Sequence, residues 1–114
     1  MIRVSLFEDA QGLIYGYHIT GHAGFAEAGS DIICSAVSVL GINTANSIEA
    51  LTGETPEVRM KDGDLLVQVP SLYPGKEGAP NEQARLLLNS FKLGIRSICE
   101  QVDSSYIVMS TNQN

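Results

Sequence analysis

Two side chains have the types and spacing for nucleophilic catalysis: Cys34 and, twelve residues upstream, His22. Both lie in the stretch Gly21 to Ser38, where Gly21, Gly24 and Gly29 alternate with Ala23, Ala26 and Ala28 before an apolar run begins. A thiol close to a helix N-terminus sits where backbone dipoles favour the thiolate. An imidazole brought to it by a glycine-rich loop can take the thiol proton, which is the minimal nucleophile–base pair. The plainer reading is a small buried cysteine and a solvent-facing loop histidine. His18 competes with His22 in reach, but its mid-strand place suits a structural role.

Asp31 serves first as a helix cap, and its possible second role is to steer His22. A carboxylate too close to Cys34 would instead raise the thiol pKa. Ser38, one turn after Cys34, reads as a packing residue with a supporting role at the site. Backbone N–H groups of the first helical turn, that of Cys34 included, are candidates to hold an oxyanion. Cys99 lies beside an apolar stripe with no histidine near it in sequence, and is read as core. Gly21-x-x-Gly24 with Gly29 lacks the strand–glycine–helix spacing of a dinucleotide site. Ser35 to Gly41 contains no arginine to hold phosphate. Two histidines without a matching ligand cluster make neither a metal site nor a cofactor site.

The elements that must position this stretch follow from periodicity. Ile2, Val4 and Leu6 alternate with Arg3, Ser5 and Phe7 as a half-buried strand, and Asp9-Ala10-Gln11-Gly12 turns the chain. A second strand over Leu13 to Thr20 puts Leu13, Tyr15, Tyr17 and Ile19 on one face and His18 on the other. After the glycine loop, Ser30 or Asp31 caps a helix of about 20 residues that ends near Thr52-Gly53. Its main stripe is Ile33, Val37, Leu40, Thr44, Ile48 and Leu51. Ile32, Ala36, Val39 and Ile42 widen that stripe until the first half looks buried nearly all round. Cys34, Ser38, Gly41 and Ala45 form a stripe of small residues open to close packing.

Thr55 to Lys61 reads as a third strand, and Asp62-Gly63 turns it into a fourth over Leu65 to Val69. Pro70 to Pro80 is a surface loop. From Asn81 a second helix shows Ala84, Leu87, Leu88, Phe91, Ile95, Ile98 and Val102 at helical spacing. Tyr106 to Met109 closes as a strand before a polar tail. The order β-β-α-β-β-α-β with two hairpins gives an α+β domain: a mainly antiparallel sheet and two long helices in a layered sandwich.

Bulk properties agree with one small domain over residues 1–114, since 114 residues with 44% apolar content hold a single core without staples. Seven basic and thirteen acidic residues give a net charge of −6, which argues against direct nucleic-acid binding. Two cysteines make no disulfide framework. The N-terminus has no signal-peptide core, and no apolar run approaches membrane length, so the cytoplasm is the expected compartment and no membrane partner is expected.

The run Gly21-His22-Ala23, a glycine-rich spacer, then Gly29-x-Asp31-Ile32-Ile33-Cys34-Ser35-Ala36-Val37-Ser38 resembles the signature of the Prp (YsxB-like) family of ribosomal-processing cysteine proteases. Histidine, aspartate, cysteine and serine come in the family's order and spacing, and length and element order agree along the whole chain. The resemblance implies that the substrate is the N-terminal extension of a large-subunit ribosomal protein, removed by Cys34 as nucleophile and His22 as general base. It implies a homodimer and a loop (Gly21, Ala23, Gly24, Phe25 and Gly29) that reshapes around substrate. It also implies an apolar groove for aromatic residues before the cut, with Phe25, Leu72 or Tyr73 lining it. The alternatives are a non-catalytic ribosome-assembly binding module, and a thiol redox sensor or acyl transferase.

Overall fold

A computed structural model describes residues 1–21 and 28–113, the side chains of 28–31 excepted. Strands β1 (Ile2–Glu8) and β2 (Ile14–Gly21) form a hairpin, followed by helix α1 (Ala28–Ser47). One π-helical turn, Ile48–Thr52, extends α1 to Gly53, whose φ of 82° stops it. Strands β3 (Glu57–Lys61) and β4 (Asp64–Gln68) make the second hairpin. A 3₁₀ turn, Pro70–Leu72, leads towards helix α2 (Glu82–Gln101), and β5 (Ile107–Gln113) closes the chain. The sheet order is β3-β4-β2-β1-β5, with only the β1–β5 pair parallel. The two hairpins therefore lie side by side through β2 and β4, and α2 carries the chain back across to the open edge of β1.

Tyr17 shows where the helices sit. Its hydroxyl donates to the Gly41 carbonyl of α1 at 2.5 Å, and its ring stacks on Phe91 of α2 with centroids 3.9 Å apart. Both helices thus cover one face of the sheet, giving a two-layer sandwich. Val4, Leu6, Tyr17, Val67, Val37, Leu88, Phe91 and Ile95 are all buried in its core. Gly41 lets α1 come this close, since a Cβ there would lie 2.7 Å from Ile19 and 2.8 Å from Leu65. The expected stripe of small residues does its packing at Gly41 and Ala45. Tyr17→Phe leaves that carbonyl without its phenolic donor in a dry core. We expect a loss of about 1–2 kcal/mol, read as a lower thermal midpoint with unchanged secondary structure.

The start of α2 is fixed by Asn81, whose side chain accepts from the Ala84 N–H at 3.0 Å. Asn81 Nδ2 also donates to Thr52 and Glu54, and Glu54 accepts from the N–H and hydroxyl of Ser71. Burial works to raise the Glu54 pKa, but the hydrogen bonds from Ser71 and Asn81 hold it below the usual range.

Four expectations need correction. In β2, Leu13 is exposed and Ile14 buried, because Phe7 pairs with Gly16 and Glu8 with Ile14. Tyr15 is thus an extra residue, and a bulge reverses the alternation there. The first half of α1 is not covered all round: Ile32, Val39 and Ile42 are exposed. The polar tail is β5 itself, running parallel to β1 at the sheet edge, where polar residues tolerate water while the backbone pairs. Finally, Ile32–Thr52, with mean hydropathy 1.2, does reach the length and apolarity of a membrane span. Ile33, Val37, Ala45 and Ile48 of this stretch are nonetheless buried in the core of the domain.

Candidate functional site

The end of the sheet where β2 finishes, β1 starts and β3 turns into β4 meets the first half of α1 around a cavity of about 170 Å³. Cys34 and Ser38, one turn apart on α1, form part of one wall, and Met60 to Gly63 form the other. Ile2, Ile19 and Leu65 add an apolar lining. Cys34 is half-buried and packs against the core, so its sulfur is part of the cavity wall without being sealed from it. Met60, 65% exposed, and Ile42, 41% exposed, leave an apolar rim beside it. The arrangement can hold an extended, partly apolar segment against a thiol.

Gly21 is the last residue before His22 and its backbone is clamped from two sides. Its N–H donates to the Gly63 carbonyl of the β3–β4 turn at 3.0 Å. Its φ is +89°, and a Cβ there would overlap the Met1 carbonyl oxygen. Glycine is required here for conformation and for space, and the chain leaves the sheet towards His22 from a fixed point at the cavity edge.

His22, Ala23, Gly24 and Phe25 lie outside the described residues. Gly29 and the backbone of Asp31 fall in the first turn of α1, and the Asp31 side chain lies outside the description. The capping expectation for Ser30 or Asp31 is corrected: α1 begins at Ala28, so both residues lie inside its first turn. Cys34 is consequently the seventh helical residue, beyond the first four N–H groups that lack a helical acceptor. Its own N–H is thus not one of the end groups expected to hold an oxyanion.

The structure separates other residues from the site. Leu72 is buried and Tyr73 packs edge-on against Tyr15 with centroids 5.9 Å apart, at the far end of the sheet, so neither lines this cavity. Met60 and Ile42 take the place expected for them. Nothing in the β3 pattern marked Met60 as a site residue, because its charged neighbours read only as strand alternation. His18 points to the face without helices, where Nε2 meets Asp64 Oδ1 at 2.8 Å. That hydrogen bond holds the Asp64 carboxyl below its usual range, with Arg59 adding to it. His18 is thereby committed to a cross-strand pair with Asp64, a residue that also borders the cavity. Cys99 is half-buried against the core as expected, and burial pushes its thiol pKa up.

A two-layer α+β domain that sets a helix-borne cysteine in the wall of a partly apolar cavity has the build of a thiol hydrolase. A family model described as Cysteine protease Prp matches residues 1–107, and the chain belongs to that family. It is a cysteine protease. It is 26% identical over 105 residues to the ribosomal processing cysteine protease Prp of Staphylococcus aureus (strain Mu50 / ATCC 700699), covering 92% of this chain and 94% of that protein. The Bacillus subtilis (strain 168) Prp is 27% identical over 101 residues, covering 86% and 87%. Among solved structures, SMU.848 from Streptococcus mutans is 28% identical with a TM-score of 0.81, covering 100% of this chain and 96% of that one. The S. aureus Prp solved with a covalently linked product peptide has the same fold, with a TM-score of 0.81 at 24% identity, covering 98% and 100%.

Proposed function

We propose that this chain is the endopeptidase that removes the N-terminal extension of a large-subunit ribosomal protein, with Cys34 as nucleophile and His22 as general base. The observation that carries this reading is the juxtaposition of Cys34 with an apolar cavity whose edge is Gly21, the residue before His22, in a chain of the Prp family. His22 takes the thiol proton, and the Cys34 thiolate attacks the scissile carbonyl to form a tetrahedral oxyanion. Collapse breaks the C–N bond as the imidazolium protonates the leaving amine, leaving a thioester on Cys34. Water, deprotonated by His22, attacks that thioester and releases the acid and the thiol. Ser38 and Asp31 have supporting places, on the cavity wall and one turn before the thiol.

The exposed Ile32, Val39 and Ile42 of α1 support a homodimer, and cytoplasmic work beside the ribosome fits the proposed substrate. The test is incubation with synthetic peptides spanning the extended N-terminus, read by mass spectrometry, for the native protein and His22→Ala. We expect one cut in the native sample and a rate lower by on the order of 10²–10⁴ in the variant. Oxidation or acylation of Cys34 without peptide hydrolysis would overturn the reading in favour of a sensor or transferase.

A further inference from the structure

The clamp on Gly21 has a support of its own on the helix-free face of the sheet. The Gly63 carbonyl that accepts the Gly21 N–H at 3.0 Å belongs to the peptide unit joining Gly63 to Asp64. Gly63 stands in the β3–β4 turn at a φ of +71°, where the ladder ends. A carbonyl at a ladder end frays readily, so its direction depends on what fixes the residue beside it. That residue is Asp64, the first of β4 and part of the cavity lining.

Three strands meet on the Asp64 carboxylate. In the ladder Asp64 pairs with Thr20 of β2 and with Lys61 of β3. His18 stands opposite Leu66, so its side chain reaches Asp64 along the diagonal, towards the turn. Its Nε2–H donates to Oδ1 at 2.8 Å, and Arg59 Nη2, from β3, lies 3.6 Å from the same oxygen. The His18 and Asp64 side chains are 28% and 31% exposed, so water competes for this bond less than for a fully exposed pair. Among the described residues that line the cavity, His18 is not one; it meets the site only through Asp64.

We propose that His18 is a positioning residue for the proteolytic reaction: through Asp64 it fixes the Gly63 carbonyl, and with it the point where the chain leaves the sheet for His22. The inference rests on the reading of His22 as general base. It gives a function to the histidine that the nucleophile–base pair leaves unused. Loss of the His18 hydrogen bond loosens the turn and the Gly21 N–H it holds, and the effect falls on the chemical step because His18 lies outside the cavity lining.

The test compares His18→Leu, which keeps bulk and removes the donor, with His18→Gln, which puts an amide N–H at about the reach of Nε2. Each is made in the native chain and in His22→Ala, and cleavage of the extension peptide is followed below the thermal midpoint of every variant. His18→Leu should lower kcat on the order of tenfold with KM unchanged, and His18→Gln should recover most of that loss. In the His22→Ala background His18→Leu should cost nothing further, since the group it positions is gone. Exchange of the Gly21 amide proton should quicken in His18→Leu and return towards the native rate in His18→Gln. Asp64→Asn, which keeps the shape and weakens the acceptor, should also lower kcat and covers the case of a His18→Leu chain that folds poorly. A native kcat in both His18→Leu and Asp64→Asn, a loss in His18→Leu that Gln does not recover, or an equal loss in the His22→Ala background would overturn the proposal while leaving the base assignment in place. Unchanged cleavage in His22→Ala alone would instead remove the base assignment, and this inference with it.

Discussion

Cys34→Ala is expected to abolish cleavage of the extension peptide while moving the thermal midpoint very little. Loss of a covalent nucleophile removes the step that splits a difficult hydrolysis in two, and such losses run on the order of 10⁴-fold or more. The stability side follows from the site. Cys34 is half-buried on a cavity wall, so deleting its sulfur enlarges an existing opening and leaves no sealed void in the core. The expected change is below about 1 kcal/mol. Cys99→Ala supplies the contrast: it removes the other thiol, which packs on the core from α2, and should leave the cleavage rate intact. Alkylation by iodoacetamide near neutral pH should follow the same split, labelling Cys34 and sparing Cys99, whose thiol pKa is raised by burial. Retained cleavage in Cys34→Ala would remove the nucleophile assignment.

How far the sequence reveals this arrangement depends on the range of the interactions involved. The α2 stripe and its Asn81 cap are local, and the helix runs from Glu82 with Ala84, Leu88, Phe91 and Ile95 buried as its spacing predicts. The Asp62-Gly63 hairpin is local for the same reason. Registers are not. The bulge at Tyr15 depends on pairing with β1, so alternation read along β2 alone puts Leu13 inside and Ile14 outside. The parallel strand made from the polar tail is likewise invisible, because what recruits Ser110 to Gln113 is the free edge of β1, a hundred residues away in sequence. The same holds within the site. Cys34 stands out because its residue type suggests chemistry, whereas Met60 becomes a cavity wall only through the pairing of β3 with β4. Tyr73 shows the reverse error: an aromatic loop residue suggested substrate contact, and tertiary packing spends it on Tyr15.

Gly21→Ala should cost both stability and activity, and a matched glycine separates the causes. Gly12 and Gly21 share a positive φ, +81° and +89°, but a Cβ at Gly12 meets nothing within 4 Å while one at Gly21 overlaps the Met1 carbonyl oxygen. Gly12→Ala therefore measures the left-handed conformation alone, about 1 kcal/mol, in a turn remote from Cys34. At Gly21 the cost of a positive φ is joined by a backbone clash that cannot relax freely. Gly21 is held by the Gly63 carbonyl, and Ile2, the residue after Met1, donates its N–H to the carbonyl of Tyr106, just before β5, at 2.8 Å. We expect about 2–4 kcal/mol of destabilisation. Relief of the clash must move the strand end, and the residue that moves with it is His22. A displacement near 1 Å at a catalytic group costs on the order of a hundredfold in rate. The comparison to make is cleavage rate at a temperature where both variants are folded: Gly12→Ala should match the native protein and Gly21→Ala should fall far below it. Equal rates in the two variants would show that the clamp at Gly21 does not position the base.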